Sequence, residues 1–167
     1  MKDKYLREYY ENYDEDGRLL TRHGHIEFIT TMHYIEKYLR PGDVVLEIGA
    51  GTGRYSHALA GRGFAVDAVE LIEHNIEIFK SKIAEDENIS VRQGNAIDLS
   101  FIEDDTYDVT LLLGPMYHLY NEEEKLRALS RGGTRDKTRR NCLRCLLYGR
   151  CICSSVRFWQ RRYQRID

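Results

Sequence analysis

Apolar residues recur along this chain in two alternating rhythms, short unbroken runs and runs spaced three or four apart. Val44, Val45, Leu46 and Ile48 form one compact β-branched run, launched by the turn Pro41-Gly42-Asp43. Phe64, Ala65, Val66, Ala68 and Val69 form a second. Between them Tyr55, Ala58 and Leu59 carry helical spacing. Extended along the chain, the pattern predicts helices near 3–12 and 23–40, strand 43–48, helix 52–61, strand 64–69 and helix 73–84. Strands 89–93 and 107–113 and helix 121–130 follow. Strands separated by helices make an α/β fold, a doubly wound parallel sheet, whose ligand belongs at the carboxyl ends of the strands.

The stretch 44–53, V-V-L-E-I-G-A-G-T-G, sharpens that expectation. Gly49, Gly51 and Gly53 stand where a strand turns into a helix, and glycine there permits positive φ and close approach of backbone to a ligand. A dinucleotide loop has the pattern G-x-G-x-x-G, with pyrophosphate on the helix N-terminus. Here Arg54 follows Gly53, and Glu47 places a carboxylate beside the loop, where it would repel phosphate. A cationic nucleoside with a sulfonium and an amino group suits that carboxylate better. A second acid, Glu70, ends the next strand, about where a carboxylate meets ribose hydroxyls.

Four segments make the resemblance specific over residues 40–130: L-E-I-G-A-G-T-G (46–53), A-V-E-L (68–71), Q-G-N-A (93–96) and Y-D-V-T-L-L-L-G-P-M-Y-H-L (107–119). With these the chain resembles the class I S-adenosylmethionine-dependent methyltransferases, Rossmann-like enzymes. The resemblance implies that Glu47, Gly49, Ala50 and Gly51 line the methionine and ribose part of the cofactor. It implies that Glu70 holds the ribose hydroxyls, with Leu71 against adenine. Asn95 and Ala96 would meet the adenine edge, and Leu113 with Gly114 would close the site. Many relatives carry Asp where this chain has Asn95, whose amide can still accept from the adenine amino group.

Charge divides the chain in two. Residues 1–130 hold 14 Lys+Arg and 25 Asp+Glu, a net of −11; residues 131–167 hold 11 and 2, a net of +9. All four cysteines, Cys142, Cys145, Cys151 and Cys153, lie in the second part. Four readings compete for it: a nucleic-acid arm with interleaved Tyr148, Phe158, Trp159 and Tyr163; a zinc site of unusual spacing; a solvated tail; and a segment read out of frame. Degenerate codons chosen from Arg131 onward and read one base later can spell E-A-V-R-V-T-K-P-G-G-I-V-F-A-A-Y. That text continues the helix from Asn121, stops it on P-G-G and begins a strand. It also resembles the turn before the fifth strand of the same family. Arg, Cys and Gly codons share G at the second base, so misreading an ordinary small-residue segment yields this composition. The expectation is a domain order of 1–40 as a helical lid, 41–130 as the cofactor-binding core and 131–167 as an out-of-frame tail. The strands that complete the sheet would then be missing.

The acceptor is less legible. His118, just past the fourth strand, is the candidate general base, against a packing or helix-capping role. Tyr9, Tyr10, Tyr13, Arg22, His23 and His25 form a polar-aromatic group ahead of the core, either a lid with Arg22 on the methionine carboxylate or an ordinary surface helix. The acidic body argues for a small-molecule acceptor and against nucleic acid. No apolar run reaches membrane-spanning length and no signal-peptide core is present, which predicts a cytoplasmic protein with no membrane partner. No metal site is expected. A truncated, non-catalytic cofactor-binding domain is the alternative function.

Overall fold

The computed structural model describes residues 8–10, 13, 17, 21–134, 142–146 and 150–152, with side-chain environments as far as residue 132. Helix α1 (Arg22–Glu36) is followed by β1 (Val44–Ile48), α2 (Arg54–Ala60), β2 (Ala65–Glu70), α3 (Glu73–Lys82) and β3 (Ile89–Gln93). Then come β4 (Val109–Leu112), a 3-10 turn (Pro115–Tyr117), α4 (Glu122–Thr134), β5 (Cys142–Leu146) and β6 (Arg150–Ile152). The strands lie in the order β3-β2-β1-β4-β5-β6. All pairs are parallel except β5 with β6. The expected doubly wound sheet is therefore present, and its winding reverses between β1 and β4, the point at which sheets of this order form a ligand crevice at the strands' carboxyl ends.

Alternate residues of the central strands feed two cores. On one face Val45, Val66, Val109 and Leu111 pack with Leu59 of α2 and with Met32 and Ile35 of α1. On the other, Leu46, Ile48, Val69 and Leu112 meet Ala128 and Leu129 of α4. Within 1–40, Met32 and Ile35 of α1 belong to the core, and Tyr9, Tyr10 and Tyr13 form a ring cluster. Helix α1 stops at Glu36, short of 40, with Lys37 as its C-cap, whose N–H donates to Tyr34 O at 3.3 Å.

Two boundaries at the far side of the sheet differ from expectation. Helix α4 starts as its sequence predicts, Asn121 Oδ1 accepting from Glu124 N at 2.7 Å, yet runs through Gly132-Gly133 to Thr134. Glycine costs a helix only about 1 kcal/mol per residue, and Ala128 and Leu129, buried against β4, hold the preceding turn. The sheet also does not end at β4. Thr110, Leu111 and Leu112 pair in parallel with Cys142, Leu143 and Arg144 of β5. The physical reason is that a ladder is made by main-chain groups, so the open edge of β4 recruits a strand largely without regard to side-chain identity. The side chains of 133–167, and with them the frame reading, the zinc reading and the basic-arm reading, lie outside the described residues.

Candidate active site

The loop after β1 sits at the mouth of the crevice, with Gly49, Gly51 and Gly53 at φ +75°, +58° and +85°. Two of these glycines are required by packing as well as by φ. A Cβ on Gly49 would overlap the ring of Pro115, and one on Gly53 would overlap the ring of Phe79 from α3. Gly114 stands as close on the other side, where an added Cβ would lie 3.0 Å from Gly49 O. The ends of β1 and β4 are therefore locked together by small residues.

The loop amides are already engaged. Gly49 N and Ala50 N donate to Val69 O at 2.7 and 3.2 Å, and Gly53 N donates to Ala50 O at 3.0 Å. Gly51 N donates to Glu70 Oε2 at 2.9 Å. A pyrophosphate would need such N–H groups unengaged. The geometry therefore disfavours a phosphate cradle more directly than Arg54 does.

The two acids prove unequal. Glu70, at the end of β2, is buried, and its Oε1 accepts from Ile72 N at 2.9 Å and from Asn75 Nδ2 at 3.5 Å. Burial raises its pKa, and the donors of Ile72, Gly51, Asn75 and Leu71 oppose the rise. Glu47 is only 2% exposed and lies under α2, where Ser56 Oγ donates to it. Burial pushes its pKa from 4.5 up to about 7, against the side-chain and backbone donors of Ser56, and the nearby Glu70 adds to the rise. As a strand residue Glu47 alternates onto the face covered by α2, beside Val45, where burial favours its protonated form. Glu70 is the acid at the loop itself.

The remaining expected residues surround the same strand ends. Leu71 is half-buried next to Glu70. Asn95 forms a turn after β3, its Oδ1 accepting from Ile97 N at 3.2 Å and its carbonyl from Asp98 N at 2.8 Å, while Ala96 is buried in the core. Leu113 leaves β4 half-buried. Arg22 is the exposed first residue of α1, after the cap in which Gly24 N donates to Thr21 Oγ1 at 3.1 Å. His118 follows the 3-10 turn, half-buried, with its Nε2 2.8 Å from Tyr10 Oη and its ring edge-on to the tyrosine at 5.6 Å. Sequence reasoning missed Ser56, Asn75 and the pairing of Tyr10 with His118. Asn75 lay in the first turn after Glu70, a readable hint, whereas Tyr10 and His118 are 108 residues apart and nothing local joins them. Among the described residues no cluster of His, Cys, Asp and Glu could hold a metal, and no helix is long and apolar enough to cross a membrane.

A glycine loop at the switch point, an acid clamped to it from β2 and a parallel sheet of this order define a nucleoside-cofactor domain. Comparison with known proteins narrows the class: a family model described as "Methyltransferase domain" matches residues 45–133, and the chain belongs to that family, the class I S-adenosylmethionine-dependent methyltransferases. The family's cofactor is S-adenosylmethionine. The chain is 33% identical over 87 residues to an rRNA adenine N-6-methyltransferase of Limosilactobacillus reuteri, covering 49% of this chain and 36% of that protein. It is 31% identical over 96 residues to a demethylmenaquinone methyltransferase of Clavibacter sepedonicus, covering 55% and 39%. A crystal structure of a Pyrococcus horikoshii OT3 protein shares the fold, with TM-score 0.70, 22% identity and coverage of 82% and 64%. The matches thus span little more than a third of the length of these two relatives.

Proposed function

We propose that this chain binds S-adenosylmethionine and transfers its methyl group to a small molecule. The observation that carries the reading is the Gly51–Glu70 bond, which ties the acid at the end of β2 to the glycine loop after β1, where a ribose would meet it. The residues fit the cofactor: glycines 49 and 51 keep the floor low, Glu70 is pre-oriented by its donors, and Leu71 and Ala96 offer apolar contact for a purine. In this reading Glu47, Gly49, Ala50 and Gly51 support the methionine and ribose part, Asn95 meets the adenine edge, Leu113 closes the site and Arg22 reaches the carboxylate. When bound, S-adenosylmethionine supplies an electrophilic methyl carbon on a sulfonium, so the protein contributes alignment and, for a protic acceptor, a base. In this reading His118 supplies that base.

A nucleic-acid acceptor is the second reading, favoured by the rRNA methyltransferase among the relatives. The net −11 of residues 1–130 weighs against it, since binding phosphates requires a positive surface. Calorimetry with S-adenosylhomocysteine and with NAD tests the cofactor. Binding of the former is expected, weakened by about 1–3 kcal/mol in Glu70→Ala; NAD binding with no response to S-adenosylhomocysteine would refute the proposal. Turnover measured beside binding separates an enzyme from a non-catalytic cofactor-binding domain.

A further inference from the structure

Asn75 lies in the first turn of α3, only 2% exposed. Burying an amide costs free energy unless its hydrogen bonds to water are replaced. For the amide nitrogen the replacement is Glu70: Asn75 Nδ2 donates to Oε1 at 3.5 Å, the same oxygen that accepts from Ile72 N at 2.9 Å. The other oxygen, Oε2, accepts from Gly51 N at 2.9 Å. A carboxylate offers about four acceptor positions, shared equally between its oxygens. Oε1 is therefore full. Oε2 keeps at most one position open, since the backbone of Leu71 also favours the charged form, the least of the four donors.

We infer that Asn75 is a positioning residue: by filling Oε1 it makes Glu70 a site for one ribose hydroxyl, taken through Oε2, instead of a clamp on both. This rests on the S-adenosylmethionine reading above. The second hydroxyl is then held by other groups or by water. A clamp on both would require a protein donor to leave Glu70. Ile72 N and Gly51 N are main-chain groups, fixed by the start of α3 and by the glycine loop. Asn75 is the side chain among the donors, and its bond is the longest of the three. Removing its amide reopens Oε1 without moving the backbone. An Asn75 that only filled space would alter affinity for every ligand alike and leave the choice between hydroxyls untouched.

Calorimetry of the full chain with S-adenosylhomocysteine and with its 2′-deoxy and 3′-deoxy analogues, repeated in Glu70→Ala, gives the part of each hydroxyl's contribution that passes through Glu70. The expected coupling is about tenfold or more in Kd for one hydroxyl, as for a hydrogen bond to a charged group, and under about twofold for the other. Coupling of both hydroxyls to Glu70, or of neither, overturns the one-hydroxyl site, and this comparison needs no change at residue 75. The same cycle in an Asn75→Leu background, close in size but without a donor, should show the second hydroxyl coupled as well. A pattern unchanged by Asn75→Leu overturns the part given to Asn75; Asn75→Ala makes the same test if the leucine prevents folding. A chain that binds neither S-adenosylhomocysteine nor its analogues refutes the cofactor reading itself, an outcome distinct from a wrong count of hydroxyls.

Discussion

The two sides of the crevice are built on different principles. On the β1–β2 side the glycine loop, Glu70, Asn75 and Ser56 come from residues 47–75, and every contact among them spans fewer than 25 positions: Gly51 to Glu70, Ile72 and Asn75 to Glu70, Ser56 to Glu47. On the β4 side a contact joins Tyr10 to His118 across 108 positions. Short-range architecture leaves a motif in the sequence; long-range architecture leaves only its separate parts. The first side reads as a cofactor site from the sequence alone. The second comes together only when the chain closes on itself.

The largest expected effect lies on the β4 side. Beneath the backbone ladder of β5, the shifted text places V-F-A-A-Y at positions 142–146, where β5 runs. Replacing residues 131–146 by E-A-V-R-V-T-K-P-G-G-I-V-F-A-A-Y should stabilise the chain on the order of 5 kcal/mol, because β5 lies between β4 and β6, interior strands of such sheets are rich in buried apolar residues, and each large apolar side chain contributes about 1.5–3 kcal/mol. Urea denaturation of both forms checks it, and nucleotide sequence across codons 128–142 checks the frame directly. No gain in midpoint would remove the out-of-frame proposal and make both sides of the sheet native as written.

The next effect probes how tightly the β1–β2 side is packed. Gly53→Ala puts a methyl into the Phe79 ring at φ +85°. Left-handed strain of about 1–2 kcal/mol and overpacking of about 1–3 kcal/mol should lower stability by about 3 kcal/mol together. A change below about 1 kcal/mol by thermal or urea unfolding would show the loop more compliant than its contacts indicate.

A comparable but pH-dependent effect separates Glu47 from an ordinary acid. Its carboxyl binds a proton more tightly in the folded state, with pKa about 7, than at its ordinary 4.5. The folded state therefore holds more protons between those values, so stability falls as pH rises from 4.5 through 7, by on the order of 3 kcal/mol from this group. Glu70, raised in the same direction, adds to the same slope. Glu47→Gln keeps an acceptor for Ser56 and removes the titration, so it should flatten the profile and gain relative to the unmodified protein at pH 8. An unchanged slope would place the titration elsewhere.

The doubly wound sheet was legible because Val44, Val45, Leu46 and Ile48 and their counterparts in β2 read as buried strands by rhythm alone, and Gly49, Gly51 and Gly53 announce a turn no bulkier residue adopts. Glu70 was legible by its place after an apolar run. Those features are local, so sequence determines them: β-branched runs, positive φ and a strand end need no distant partner. Tertiary structure alone decided that Glu47 is buried under α2 with Ser56 donating to it, because burial and the Ser56 donors depend on where α2 packs. It decided that α1 forms core wall while the tyrosines ahead of it reach His118, because polar-aromatic periodicity is the same for a lid and for a surface helix. And it decided that β4 carries a neighbour, because an unsatisfied strand edge is filled by backbone, whose hydrogen-bonding groups are the same in every residue but proline.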